Sequence, residues 1–185
     1  MTARASMAEL ITELRGMAQA GTADYTVGAV TYWSDEQLQQ VMDRRRVDYR
    51  FMPLACQPDY VSGAYSHTEY RLPERWMERD IDVLDYTGAA YGTALYTIDY
   101  DRQLIEFAAD TGGSAVYINA SAYDLNRAAA DIWRQKAAHY ASAYDVSADG
   151  HKLTRSQLMA QAAQMAAFYE GLSGPVTASV FRGDE

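Results

Sequence analysis

The sequence predicts an α+β fold, mainly helical, in which helices near both ends flank an inserted antiparallel β-meander. Apolar residues recur at helical spacing in four stretches, about 6–20, 35–46, 123–144 and 155–172. Between them, from Val47 to Ala122, the texture changes to tyrosines, β-branched residues and turn formers with no helical period. With 185 residues, 49% of them hydrophobic and 22% charged, the chain has ordinary globular usage and suits one domain over 1–172, followed by a tail over 173–185.

The first helix rests on Met7, Leu10, Ile11, Leu14 and Met17, with Gly21 as its expected stop. After a loop from Thr22 to Trp33, Ser34-Asp35-Glu36-Gln37 is a capping box, and Leu38, Val41 and Met42 form the apolar stripe of a second helix running to Arg46. Its last turn holds Arg44-Arg45-Arg46, three cations that complement the helix dipole. Pro53, Pro58 and Pro73 interrupt the first part of the β-rich insertion, so Tyr49 to Leu72 reads as irregular strand near a sheet edge. Three cleaner strands follow, Thr93–Tyr100, Gln103–Ala108 and Ser114–Asn119, separated by turns at 99–102 and 110–113, and these make the meander. Period-two alternation places Tyr96, Ile98 and Tyr100 on one face of the first strand, Ile105 and Phe107 on one face of the second, and Val116 and Ile118 on one face of the third.

Tyr123 opens an alanine-rich helix with Leu125, Ala128, Ala129, Ile132, Trp133, Ala137, Tyr140 and Tyr144 on one stripe. A turn-rich connection over 145–153 leads to Thr154-Arg155-Ser156-Gln157, a second capping box. The final helix buries Leu158, Ala162, Met165, Ala166 and Tyr169 and ends at Gly171 and Gly174-Pro175.

Charge narrows the function classes. The formal net charge is −9, from 16 basic and 25 acidic residues, which argues against a protein whose main work is gripping nucleic acid. The excess lies in the middle: from Asp80 to Ala122 only Arg102 opposes Asp80, Asp82, Asp85, Asp99, Asp101, Glu106 and Asp110. No apolar run is long enough to span a bilayer, and Met1-Thr2-Ala3-Arg4-Ala5 leads into an amphipathic segment, so the expectation is synthesis in a cytoplasm and no membrane partner. Cys56 stands alone, which excludes an internal disulfide and suits a reducing compartment.

Chemical motifs are sparse. Asp145-Val146-Ser147-Ala148-Asp149-Gly150 matches the first half of a calcium loop, but the twelfth position is Ser156 where a bidentate glutamate should close the site. His67, His139 and His151 lie far apart without a ligand pair. In Asp80-Ile81-Asp82-Val83 the alternation puts both acids on the wet face of a strand, and Asp99 and Asp101 flank a hairpin turn. A nucleophile elbow, a Ser-x-x-Lys pair and a phosphate loop are all missing. The expectation is therefore no catalytic residue, no cofactor and no metal.

The stretch from Tyr96 to Tyr169 carries Tyr100-Asp101-Arg102, Ile105-Glu106-Phe107-Ala108-Ala109-Asp110-Thr111-Gly112-Gly113, Ala122-Tyr123-Asp124-Leu125, Ala128-Ala129-Ala130-Asp131-Ile132-Trp133, Tyr144-Asp145-Val146-Ser147-Ala148-Asp149-Gly150 and Arg155-Ser156-Gln157. In order and spacing this resembles the head-to-tail connector, or adaptor, proteins of tailed bacteriophages. The resemblance implies a small helical bundle carrying a β-module, a structural virion protein of the neck, made in the host cytoplasm and free of catalysis. It implies a homo-oligomeric ring, twelvefold, that binds the portal protein on one side and the next neck or tail protein on the other. DNA passes through such a ring without specific binding, and the acids Asp80, Asp82, Asp85, Asp99 and Asp101 are candidates to face its lumen. A terminal segment commonly holds the portal or a neighbour in this family, which makes Val176, Val180 and Phe181 candidate contacts.

Other readings stand beside it. A head-closure stopper or tail terminator belongs to the same neck, but such proteins are usually β-rich. A small hydrolase or binding module on the tyrosine-rich sheet requires a convergent acid pair or metal site, and a packaging accessory requires salt-dependent DNA binding.

Overall fold

The structure is a computed structural model, and it describes residues 2–61, 63–142, 146–148, 151–153 and 155–173. The chain divides into two compact units, Met1–Leu125 and Asn126–Glu185.

In the first unit, α1 (Ala8–Ala18) follows a short 3-10 turn and buries Leu10, Ile11 and Leu14, the stripe that its spacing predicts. The helix stops earlier than Gly21, because Gln19 takes the left-handed conformation at φ 48° and the N–H groups of Gln19 and Ala20 bond back to Gly16 and Arg15. The expected loop 22–33 contains a hairpin, β1 (Tyr25–Val27) and β2 (Val30–Tyr32), turned at Gly28. Helix α2 (Asp35–Asp43) has the expected capping box, with Ser34 Oγ accepting from the Gln37 N–H and Gln37 Oε1 accepting from the Ser34 N–H. Leu38, Val41 and Met42 are buried. The helix ends at Asp43 and not at Arg46, since Arg46 already belongs to the first strand of a sheet.

The region read as irregular strand near a sheet edge forms three strands, β3 (Arg46–Pro53), β4 (Ala55–Val61) and β5 (Ala64–Arg71), two of them at sheet edges. Its prolines are tolerated because β3 and β4 are edge strands, and bulges interrupt both their pairings. Next come β6 (Asp82–Leu84), β7 (Tyr96–Asp99), β8 (Leu104–Phe107) and β9 (Tyr117–Tyr123). The β7–β8 hairpin forms as expected, but the third strand leaves the meander. β8 pairs with β5 in the order β4-β5-β8-β7, while β9 sits between β3 and β6 in a second sheet. All these pairings are antiparallel.

One core serves both sheets. Tyr70, Ile105 and Phe107 of the four-stranded sheet pack with Val83, Ile118, Ala120 and Ala122 of the three-stranded one, joined by Leu72, Met77 and Val116. Tyr96, Ile98 and Tyr100 pack against its margin, so the predicted strand faces point inward as read. At about 2 kcal/mol for each large apolar side chain removed from water, this core is a major part of the unit's stability, beside the buried Met7, Leu10, Leu14, Trp33, Leu38 and Met42.

The second unit contains α3 (Leu125–Ala141) from Asn126 onward, a hairpin β10 (Val146–Ala148) and β11 (His151–Leu153), and α4 (Arg155–Leu172). Helix α3 starts two residues later than expected, because Tyr123 is held in the sheet opposite Arg46. The two helices run antiparallel, with Trp133, Ala162 and Ala166 at the centre of their contact and Ala137, Tyr140, Met165 and Tyr169 around it. Arg134 pairs with Glu170, and Asn126 Nδ2 donates to the Leu172 carbonyl.

The chain is thus not mainly helical. It is 36% helix and 31% strand, with nine strands in three antiparallel sheets in the first unit alone. The four helices are shared two and two between the units, and the sandwich of sheets organises the first.

Candidate functional site

Strand β9 alternates, with Ile118, Ala120 and Ala122 buried in the core and Tyr117, Asn119, Ser121 and the likewise buried Tyr123 on the opposite face. Along that second face runs a groove of about 660 Å³. Arg46, Asp48, Arg50 and Phe51 of β3 line one side, Asp82 and Leu84 of β6 with Asp80 line the other, and Arg4 and Glu78 also contribute. Its floor is Asn119, Ala120 and Ser121 of β9.

One end is ionic. The Glu78 carboxylate, 5% exposed, accepts from Ser6 Oγ at 2.6 Å, Tyr123 OH at 2.6 Å and Arg4 Nε at 2.9 Å. The Arg4 guanidinium also reaches both carboxylate oxygens of Asp43, at 2.7 and 3.2 Å, and the Tyr123 hydroxyl at 2.9 Å. Burial opposes ionisation of Glu78, but the hydrogen bonds from Ser6, Tyr123 and Arg4 outweigh it and hold its pKa below the usual range. The Asp43 hydrogen bond raises the pKa of Arg4 despite partial burial, and burial followed by the Glu78 contact raises that of the Tyr123 phenol. These shifts keep Glu78 and Arg4 charged and the Tyr123 phenol neutral near neutral pH, so the cluster acts as a structural clamp.

The middle is polar. Arg46 Nε lies 2.6 Å from Asp48 Oδ1, which also accepts from Ser121 Oγ at 2.9 Å, and these bonds lower the Asp48 pKa. Tyr49 is pushed up to about 12 by burial and by Glu74, which accepts its hydroxyl at 3.3 Å.

The far end is aromatic. Arg50 and Phe51 form a bulge opposite Asn119, where Phe51 stands at φ 48° and donates its N–H to Asn119 Oδ1 at 2.8 Å. A bulky side chain in the left-handed region costs about 1–2 kcal/mol. The amide bond and a face-to-face stack on Tyr117, with centroids 4.1 Å apart and planes 4° apart, offset that cost. The Phe51 residue nevertheless remains 44% exposed.

The acids singled out in the sequence separate by role. Asp80 and Asp82 are exposed at the groove. Asp85 is half-buried and closes a turn, accepting from the N–H groups of Thr87 and Ala89 and from the Thr87 hydroxyl; that hydroxyl is the main reason its pKa is lowered. Asp99 caps the β7–β8 turn through the Arg102 N–H, and Asp101 is exposed in the same turn. Glu78, Arg4 and Phe51 were not singled out by sequence reasoning. Val176, Val180 and Phe181 lie outside the described residues, as does the loop Asp145–Gly150 apart from the backbone of Val146–Ala148; Thr154 of the second capping box and Tyr144 also lie outside them.

His67 sits with Asp110: its N–H donates to Asp110 Oδ1, and its carbonyl accepts from the Thr111 hydroxyl at 2.7 Å. Asp110 also accepts the Gly112 N–H, the main cause of its lowered pKa. These bonds fix the 110–113 turn and bring no nucleophile to the histidine. Among the described residues no three His, Cys, Asp or Glu side chains gather as metal ligands, and no helix is long and apolar enough to cross a membrane. Comparisons with family models, with curated proteins and with solved structures found no match to this chain.

Proposed function

We propose that this chain is a non-enzymatic subunit of the head-to-tail adaptor ring of a tailed bacteriophage, seated between the portal protein and the next neck or tail protein. The observation that carries the reading is the unbroken order of motifs from Tyr96 to Tyr169, which resembles the connector family. Those motifs fall where the chain is shaped. Tyr100-Asp101-Arg102 makes the β7–β8 turn, Asp110-Thr111-Gly112-Gly113 is held by the Asp110 carboxylate, and Tyr123-Asp124-Leu125 is the passage from β9 into α3. Ala128, Ala129, Ala130, Ile132 and Trp133 are among the buried residues of α3, and Arg155 opens α4.

The acidity suits a channel through which DNA must slide. Phosphates are held by cations that displace counterions, so a wall rich in carboxylates does not retain the genome. Asp101 and Glu106 are exposed on the β7–β8 hairpin, whereas Asp85 and Asp99 are engaged in turns. The lumen wall of the proposal therefore rests on Asp80, Asp82 and Asp101, the candidates that are exposed.

Mixing the purified chain with portal rings of the phage that encodes it, followed by sedimentation and negative-stain microscopy, tests the reading. The expected result is co-sedimentation and a second ring stacked on the portal. Failure to co-sediment at every ratio and salt concentration contradicts it.

A further inference from the structure

We propose that His67 and Asp110 form a latch set by the position of one proton: His67 keeps its ring proton on Nδ1, facing the Asp110 carboxylate, and so fastens the crossover between the two sheets to β5. The inference is independent of the head-to-tail reading. Nδ1 of His67 is closed off from solvent and holds no hydrogen bond, while Asp110 Oδ1 stands 3.5 Å away, at the outer limit of one. A lone pair on that nitrogen is repelled by the carboxylate oxygen, whereas an N–H is drawn toward it, and removal from water strengthens both effects. What one ring nitrogen faces decides which nitrogen carries the proton. Asp110 is held as the anion that this requires, because the Gly112 N–H above all, and then the His67 N–H and ring, lower its pKa. Nε2 is left as the lone pair of the neutral ring.

The latch lies where β8 leaves β5. Their pairing ends at Glu69 and Glu106, and beyond it the chain crosses over 108–116 to β9. The His67 backbone holds this crossover: its carbonyl accepts from the Thr111 N–H at 3.3 Å and hydroxyl at 2.7 Å, and its N–H donates to Asp110 Oδ1 at 3.2 Å. The imidazole lies against the same turn, since a Cβ built on Gly113, at φ 74°, stands 3.5 Å from His67 Cδ2. The other charges nearby are Glu69, on the same face of β5 and paired with Arg102 at 3.8 Å, and Asp59, opposite Ser66 on β4. Because Nδ1 keeps its proton whether the ring is neutral or charged, titration of Nε2 leaves the latch closed. Protonation of Asp110 opens it. With its pKa lowered in the folded state, the contribution of this carboxylate is present above the unfolded value of about 4 and is lost as pH falls through the folded value.

Long-range ¹H–¹⁵N correlation spectra of the intact ¹⁵N-labelled chain at pH 8 read the tautomer directly. His67 is expected to carry its proton on Nδ1 and to lose that preference in Asp110→Ala. Amide exchange, taken relative to the rates of the unstructured chain, reads the latch itself. His67→Asn places an amide N–H where Nδ1 stands, and His67→Gln places one where Nε2 stands. The first is expected to keep the protection of the Thr111 and Gly112 amides, and the second to lose it about fivefold, the worth of one hydrogen bond. Protection in the unaltered chain is expected to stay level from about pH 8 to about pH 5.5, across the range in which histidine titrates. A proton on Nε2 of neutral His67, or equal protection in His67→Asn and His67→Gln, overturns the proposal, as does protection lost between those two pH values.

Discussion

Glu78 is a buried carboxylate whose hydrogen bonds come from three residues remote in sequence, Arg4, Ser6 and Tyr123, so its contribution to stability is open to a direct test. Its pKa is lowered in the folded state, so its contribution is fully present above the unfolded value of about 4 and is lost as pH falls through the folded value. Glu78→Gln is expected to cost about 2 kcal/mol at neutral pH, because the amide keeps the cavity filled but leaves Arg4 with a weaker partner. Thermal melts of both proteins between pH 7 and about pH 3 should show the gap closing as the wild-type carboxylate protonates. A gap of constant size over that range contradicts the assignment. This clamp was not legible in the sequence, since Arg4 is 74 residues from Glu78 and 119 from Tyr123 and nothing in linear spacing couples them. Phe51 was equally hidden: its left-handed backbone comes from a bulge that exists only because β3 pairs with β9.

At the scale of elements, what was legible depended on whether the signal was local. The Ser34 capping box, the stripe of α1 and the inward faces of Tyr96, Ile98, Ile105, Phe107, Val116 and Ile118 follow from spacing alone, and all are present. The palindromic run Tyr25-Thr26-Val27-Gly28-Ala29-Val30-Thr31-Tyr32 was also a local signal, alternating about a two-residue turn, and it marks the β1–β2 hairpin that was read as loop. Strand partnership was not local: β9 reads as the third strand of a meander, yet it is β3, about 70 residues earlier, that claims it. Helix ends were legible only to within a turn, because the left-handed residue closing α1 is Gln19 rather than a glycine. Replacing that residue relieves the strain, so Gln19→Gly is expected to raise stability by about 0.5–1 kcal/mol, read as an increase in the urea midpoint at unchanged slope. A lower midpoint means that the Gln19 side chain contributes more than its backbone costs.

For the molecule as a whole, composition and motifs signalled an α+β chain but not its balance of helix and sheet. The share of sheet was underestimated because tyrosine-rich edge strands broken by prolines look irregular until their partners are known. The functional reading depends on the ordered motifs from Tyr96 to Tyr169 and on the acidity of the middle of the chain, both of which are properties of the sequence. The structure adds the turns and junctions that those motifs form and a groove that the motifs did not announce. The most direct measurement is electron microscopy of the particles made when this reading frame is stopped by an early nonsense codon in the intact phage. Filled or emptied capsids and complete tails accumulating separately are the predicted result, whereas normal, infectious, tailed virions contradict a role at the head-to-tail junction.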